Sequence, residues 1–320
     1  NDFESGAGNK REEDILAPYT KTLTEKIKFE RPLRIVMDCG NAAAALVAPE
    51  VFKSMGIELK ELYCTVDGKF PNHHPDPTEP ENLEDLIAEV IKGGYDFGVA
   101  YDGDADRIGV VDDKGNMIFA DTLMAVFLEE VARPGEPIVF DVKCSQALEE
   151  EITRRGAKPI MWKTGHSLIK EKMREMKVGF AGEMSGHLFF ADEYFGYDDA
   201  IYASLRLARL VSRQKRPLSA LVAEIPKYHS TPEMRLECPT DEEKFNIAAA
   251  AEAYFKARYE CIDIDGVRIK FGDGWGLVRA SNTQPVIVCR FEARTFERLE
   301  EIKSLVLTQL QEFGDIQLAE

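Results

Sequence analysis

The chain has 320 residues, 44% hydrophobic and 30% charged, the balance of an ordinary globular protein long enough for two or three cores. Its formal net charge of −17 argues against non-specific binding to nucleic acid. No apolar run is long enough to span a bilayer and no signal peptide is visible, so no membrane partner is expected; the six scattered cysteines, with no Cys-x-x-Cys pair, read as reduced, buried thiols of a cytoplasmic protein.

In chain order, residues 1–12 are polar and read as a linker. The chain opens on Asn1 rather than Met, and the sequence reads as the middle of a longer polypeptide. A first α/β unit is expected over 13–115. It starts with a helix presenting Ile15, Leu16, Tyr19, Leu23 and Ile27, then a buried strand, Leu33 to Asp38. Cys39-Gly40-Asn41-Ala42 turns into an Ala-rich helix ending near Gly56, and Ile57 to Tyr63 is the next strand. A loop dense in Gly, Pro and His covers Val66 to Pro80. The pattern of Leu83, Leu86, Ile87, Val90 and Ile91 predicts a helix over Asn82 to Lys92. Two apolar strands, Phe97-Gly98-Val99-Ala100 and Ile108-Gly109-Val110-Val111, close the unit, which the alternation marks as a parallel α/β domain.

A second α/β unit is expected over 116–228. Its helices are Asp121 to Val131, Leu148 to Arg155, Ser167 to Met176 and Asp198 to Arg213, and its strands are Pro137 to Val142, Lys158 to Trp162 and Val178 to Ala181. A third unit, 229–320, opens with a strand from Glu233 to Cys238. A capping box, Thr240-Asp241-Glu242-Glu243, starts a helix to about Ala257. Three further strands (Cys261 to Asp265, Val267 to Phe271, Val286 to Glu292) and a last helix, Thr295 to Phe313, predict an antiparallel α+β domain.

Between the two apolar strands of the first unit lies Asp102-Gly103-Asp104-Ala105-Asp106-Arg107. At ~4 Å and an effective dielectric of ~20, each carboxylate pair repels by about 4 kcal/mol, which invites protonation or a cation. Hard oxygen ligands suit Mg²⁺ or Mn²⁺, ions usually paired with a phosphate, and Arg107 could grip the phosphate oxygens. A bare Asp-x-Asp is common turn chemistry. An EF-hand would need Gly and Glu where Arg107 and Asp113 stand.

Three further segments carry candidate chemistry. In Gly182-Glu183-Met184-Ser185-Gly186-His187, an extended backbone would point Glu183, Ser185 and His187 the same way, suiting the vicinal hydroxyls of a sugar. Gly274 to Thr283 offers Arg279, Ser281, Asn282 and Thr283 as donors for a phosphate dianion; an ordinary polar turn is the plainer reading of both segments. Lys143 and His166 each sit just past a strand, at the carboxyl edge where open sheets place ligands, and could neutralise phosphate, move a proton, or be structural. His73-His74-Pro75-Asp76-Pro77 reads as a rigid structural loop, because adjacent histidines rarely chelate one ion.

DGDADR, GEMSGH and RASNTQP, in this order and at these separations, resemble the α-D-phosphohexomutases, most closely the bacterial phosphomannomutase/phosphoglucomutase branch. FPNHHPDP, DVKCS and WKTGHSLIK resemble the same branch, so the resemblance covers nearly the whole chain. It implies two α/β mutase-type domains followed by a C-terminal α+β, TATA-binding-protein-like domain. It implies interconversion of hexose 1- and 6-phosphates through a bisphosphate intermediate and a phosphoserine, with Mg²⁺ as cofactor and glucose or mannose 1,6-bisphosphate as activator. By the family pattern Asp102, Asp104 and Asp106 are metal ligands, and Arg107, Lys143, His166 and His187 line the reacting centre. Glu183 and Ser185 hold sugar hydroxyls, and Arg279, Ser281, Asn282 and Thr283 bind the non-reacting phosphate.

The sequence departs from the pattern in one respect. The family's Thr-Ala-Ser-His-Asn-Pro segment is absent, and no Ser-His dipeptide occurs in the 320 residues. The expectation is a fragment without the N-terminal phosphoserine domain, inactive alone, whose partners are a phosphorylated hexose and that missing domain. The alternatives are a phosphosugar-binding module without catalysis, or a Mg²⁺-dependent phosphatase using Asp102 and Asp104.

Overall fold

The computed structural model describes residue 6, residues 8–281 and residues 284–318. Among them the chain forms three sheets, each with its own helices.

The first unit contains α1 (Leu16–Lys26), β1 (Arg34–Asp38), α2 (Ala48–Ser54), β2 (Glu58–Leu62), α3 (Glu84–Gly93), β3 (Phe97–Tyr101), β4 (Ile108–Asp112) and β5 (Met117–Ile118). Its sheet runs β2-β1-β3-β4-β5. β1, β2 and β3 are parallel, but β3 and β4 pair antiparallel, Tyr101 opposite Ile108. The expected wholly parallel sheet is therefore corrected to a mixed one, because six residues can turn a hairpin but cannot make a crossover. The Ala-rich helix divides into a 3₁₀ turn, Ala43–Leu46, and α2, whose Pro49 sits in the first turn where no N–H partner is needed. Two assignments to apolar faces also fail. Leu23 and Ile27 are buried, but Ile15 and Leu16 are exposed, as is Ile91 at the edge of α3.

The second unit contains α4 (Ala120–Val131), β6 (Pro137–Asp141), α5 (Gln146–Arg154), β7 (Lys158–Trp162), α6 (His166–Met176), β8 (Phe180–Gly182), β9 (Leu188–Phe190), α7 (Ala200–Arg213) and α8 (Leu218–Val222). Its sheet, β7-β6-β8-β9, repeats the plan of the first: three parallel strands, then an antiparallel hairpin. One apolar core runs through both units, joining Val99 and Ile108 to Phe127, Leu188 and Leu205. Helix α7 starts where the Asp199 carboxylate accepts the Tyr202 N–H, and its largely buried length packs on β4 and β9.

The third unit contains β10 (His229–Ser230), β11 (Met234–Glu237), α9 (Asp241–Lys256), β12 (Glu260–Ile262), β13 (Val267–Lys270), β14 (Gly274–Ala280), β15 (Val286–Ala293), α10 (Phe296–Gln311) and β16 (Gln317–Leu318). The sheet is antiparallel throughout, ordered β12-β13-β14-β15-β11-β16, with β10 also on β15. The expected strands of this unit omit one. Gly274–Ala280 is a central strand, with Trp275, Leu277 and Val278 buried. Its glycines hide the strand pattern but serve its packing: a Cβ at Gly274 would lie 2.4 Å from the Glu292 carbonyl.

The third sheet docks on the connection after β6. Arg268, 1% exposed, donates to the carbonyls of Val142 and Cys144 at 2.7 Å each and lies 3.7 Å from the Trp275 ring. Trp275 and the Gln146 N–H both donate to Glu292. Burial of the Arg268 guanidinium in this apolar seam lowers its pKa to about 10. Arg268→Ala removes the donor of two buried carbonyls and the partner of an indole. We expect a loss of about 2–4 kcal/mol, read as a shift in the urea midpoint; an unchanged midpoint would show that the seam contributes little.

Candidate active-site edge

The β3–β4 hairpin connection is the aspartate loop. Ala105 takes a left-handed conformation (φ 64°), which folds the six residues tightly enough to bring carboxylate oxygens of Asp102, Asp104 and Asp106 within 4.8 Å of one another. Asp102 is buried, Asp106 half-buried and Asp104 exposed. One Asp102 oxygen accepts the N–H groups of Asp106 and Arg107, and the other accepts Arg107 Nε at 2.7 Å. The second end of the guanidinium faces Asp76 at 3.3 Å. Burial pushes the Asp106 carboxyl up to about 6, with Asp102 and Asp104 adding repulsion against the pull of His187.

The β8–β9 connection is the Gly182–His187 segment, at the equivalent place in the second sheet. It is not extended. The Glu183 N–H donates to the His187 carbonyl and the Gly186 N–H to the Glu183 carbonyl, which closes a tight turn with Gly186 at φ 104°. The expected alternation of Glu183, Ser185 and His187 is thus replaced by a turn. Glu183 is buried and accepts the Gly165 N–H; Ser185 is half-buried at the tip. Burial and the nearby Asp141 push the Glu183 carboxyl up to about 7.

The two turns are joined by backbone. Ile108 N–H donates to the Gly186 carbonyl at 3.1 Å, within an antiparallel bridge between Arg107 and His187. From the α7 side, the Ala200 N–H donates to the Ala105 carbonyl. His187 consequently meets Asp106, 3.5 Å away, and Asp198, 3.1 Å away. His166, the first residue of α6, also reaches Asp198, at 3.0 Å. Burial alone would lower the His187 pKa, but Asp198 and Asp106 raise it. Burial would likewise raise Asp198, yet bonds from His187 and Lys170 hold it well below the usual carboxylate range.

The third unit completes the edge. Arg279, near the end of β14, pairs with Asp265 at 3.1 Å, and Asp265 also accepts the Thr164 N–H. The consecutive N–H groups of Thr164 and Gly165 therefore bind one carboxylate of the third unit and one of the second. Lys143 is buried and pairs with Glu233 at 3.0 Å; burial opposes its charge, but Asp141 and Glu233 raise its pKa. Ser281 donates its N–H to the Val286 carbonyl and accepts the Gln284 N–H on Oγ. Asn282 and Thr283 lie outside the described residues. Lys244, 2% exposed, donates to the carbonyls of Ser281 and Gln284 and so sets the shape of this turn.

Five partners found here escape the sequence reading: Asp76, Asp198, Asp265, Glu233 and Lys244. Only Asp76 carried a signal, from its prolines. Pro77 packs against Gly109, where a Cβ would lie 2.7 Å from the ring. The His73 ring bonds to Asp38 and the His74 carbonyl, as a structural loop would.

Residues 17–115 match the family model described as phosphoglucomutase/phosphomannomutase, alpha/beta/alpha domain II. Residues 119–228 match its domain III and residues 233–309 its C-terminal domain. The chain belongs to the phosphoglucomutase/phosphomannomutase family. It is 46% identical over 314 residues to the phosphomannomutase/phosphoglucomutase of Pseudomonas aeruginosa, covering 97% of this chain and 68% of the relative. It is 44% identical over 301 residues to a phosphoglucomutase of Neisseria meningitidis, covering 93% and 65%. A crystal structure of a family protein from Burkholderia thailandensis superposes with a TM-score of 0.90 at 40% identity, over 98% of this chain and 68% of that one. The chain thus spans about two thirds of the length of these relatives. As a phosphoglucomutase/phosphomannomutase family member, it carries its DGDADR and GEMSGH segments on two structurally equivalent hairpins. Among the described residues no helix is long and apolar enough to cross a membrane.

Two outcomes follow from this geometry. A Cβ at Gly186 would lie 2.9 Å from the Ile108 carbonyl, at a φ unsuited to L-residues. Gly186→Ala should therefore cost about 1–3 kcal/mol and lower the melting temperature; a parental melting curve would contradict the close approach. Glu183 has a folded pKa of about 7 against an ordinary 4.5, so the folded chain binds more protons between those values. Its contribution to stability is present below about pH 4.5 and lost as pH rises through 7. Glu183→Gln should stabilise the chain at pH 8 by about 2–3 kcal/mol, with the gain vanishing near pH 5. Urea titrations at the two pH values check the sign.

Proposed function

We propose that these residues carry the metal, sugar and phosphate sites of a phosphohexomutase that interconverts hexose 1-phosphates and 6-phosphates through a bisphosphate and a phosphoserine. The observation that carries the reading is the joining of three motif segments along one edge. The aspartate loop is bonded to the sugar turn through Ile108 and Gly186, and the sugar turn is linked to Arg279 through Gly165, Thr164 and Asp265.

The three aspartates fit Mg²⁺. They offer hard oxygens on one short loop, with ligand atoms within 4.8 Å of one another; burial, and then repulsion from Asp102 and Asp104, raises the Asp106 pKa. Bound there, Mg²⁺ would neutralise charge on a transferring phosphoryl group. The chain's own groups then have distinct duties. Arg107, held between Asp102 and Asp76, presents donors to phosphoryl oxygens. His187 can give or take a proton at the sugar hydroxyl, with Asp198 orienting its ring. Lys143 brings positive charge to the same edge, and His166 shares Asp198 with His187. Glu183 and Ser185 read the sugar's O3 and O4, which glucose and mannose share. Arg279, Ser281, Asn282 and Thr283 hold the distal phosphate, which must compete with Asp265 for the guanidinium. Phosphoryl transfer relies on such positioning and charge neutralisation.

A phosphatase reading fares worse, since it leaves the Gly182–His187 turn and Arg279, joined to the aspartate loop along one edge, without a role. The 320 residues contain no Ser-His dipeptide, so no serine matches the phosphoryl carrier of the reaction. For this polypeptide the reading is therefore binding of phosphosugar without turnover. A coupled assay with glucose 1-phosphate, Mg²⁺ and glucose 1,6-bisphosphate should show no turnover above background, while calorimetry detects glucose 6-phosphate binding. Substantial turnover would overturn the first statement and absence of binding the second. Arg279→Ala should weaken glucose 6-phosphate about tenfold or more and leave Mg²⁺ affinity unchanged. Asp104→Asn should weaken Mg²⁺ by a similar factor with little loss of stability, since it removes like-charge repulsion. Titrations in which each variant affected both ligands equally would show that the two sites are misassigned.

A further inference from the structure

Beside the aspartate trio, a second set of ligating atoms converges. Asp106, His166, His187 and Asp198 each bring one nitrogen or oxygen within 4.8 Å of the others. Each comes from a different element: the aspartate loop, the start of α6, the end of the sugar turn and the residue before the α7 cap. The two imidazoles lie nearly parallel, 5.3 Å between centroids and 25° between planes, and both direct Nδ1 at one Asp198 oxygen.

The spacing suits a small four-coordinate ion. Zinc bonds to nitrogen and oxygen are about 2.0–2.1 Å, so tetrahedral ligands stand roughly 3.3–3.4 Å apart. Here His166 Nδ1 to Asp198 Oδ2 is 3.0 Å, His187 Nδ1 to Asp198 Oδ2 is 3.1 Å, and His187 Nδ1 to Asp106 Oδ1 is 3.5 Å. Two imidazoles with two carboxylates favour zinc-class ions, whereas the all-oxygen trio favours Mg²⁺. His166 is half-exposed, which leaves an entry path.

Lys170 is the resident cation. Its Nζ bonds Asp198 Oδ1 at 2.8 Å, leaving Oδ2 toward the imidazoles, and lies 3.4 Å from His166 Nδ1. An incoming ion must displace it from His166. Its bond to Oδ1 can persist and fix the carboxylate's orientation, as outer partners of metal ligands do.

From this juxtaposition we propose that His166, His187, Asp198 and Asp106 form a second divalent-cation site, for an ion of the Zn²⁺ class, distinct from the Mg²⁺ trio and competing with it for Asp106. Zn²⁺ bound there occupies the His187 lone pair and draws Asp106 from the trio, so it weakens Mg²⁺ binding. The proposal rests on ligand geometry and not on the mutase reading.

The test is a visible-absorption titration of the 320-residue polypeptide with Co²⁺. One equivalent should produce the intense bands of four-coordinate Co²⁺, with no thiolate charge-transfer band, and added Zn²⁺ should remove them. His166→Ala, at a half-exposed position, should weaken binding at least tenfold, and His187→Asn should abolish the bands. Asp104→Asn, which belongs only to the trio, and Cys64→Ser should keep them. Only the weak absorption of six-coordinate Co²⁺, bands that survive in both histidine variants, or bands lost in Cys64→Ser would overturn the proposal. None of these outcomes touches glucose 6-phosphate binding through Arg279, which tests the mutase reading separately.

Discussion

One backbone hydrogen bond organises this molecule: the Ile108 N–H to the carbonyl of Gly186, 3.1 Å long. It ties the mouth of the β3–β4 hairpin to the mouth of the β8–β9 hairpin. The two hairpins occupy the same place in two sheets of the same plan, so their connections meet face to face. Aspartates from one connection and the glutamate and histidine of the other thereby share an edge, although some eighty residues separate them in sequence. The bond tolerates no side chain at Gly186, whose Cβ would strike the Ile108 carbonyl. The absence of a side chain at Gly186 thus lets the two connections approach closely.

The charge held along that edge is the second constraint. Asp106 and Glu183 have raised pKa values because burial removes water and like charges stand near. Lys143 and His187 have raised pKa values despite burial because carboxylates face them. An edge with both unrelieved acids and captive bases suits a cation and a phosphorylated ligand arriving together. The rest of the molecule compensates with ordinary means. One apolar core spans the first two units, and the Arg268–Trp275–Glu292 seam holds the third against the second.

Much of this was legible in the residues. Apolar periodicity located most helices and strands, because burial of one face needs only local order to leave its mark. DGDADR stood out because three carboxylates between two apolar strands have no cheap solvated alternative. Two segments misled. Gly274–Ala280 was hidden as a strand by glycines and an arginine, which serve inter-strand packing and an ion pair rather than alternation. For Gly182–His187 the reading of three aligned side chains held only for an extended backbone, and pairing with Leu188–Phe190 folds the segment into a turn. The partners Asp198, Asp265 and Glu233 carry no motif, since a carboxylate facing a cationic side chain or a histidine needs proximity in space and no spacing in sequence.

The sequence by itself determined the chemistry of the edge and the order of its three units, because residue type sets what a group can ligate and local hydrophobic pattern sets which segments are buried. Only the tertiary structure decided which carboxylates face which cations. Arg107 reaches Asp76, His166 and His187 converge on Asp198, and Arg279 is held by Asp265. Those pairings come from two equivalent hairpins and one docked sheet meeting at a common edge. Long-range packing sets that meeting, at separations where periodicity and motif spacing carry no information.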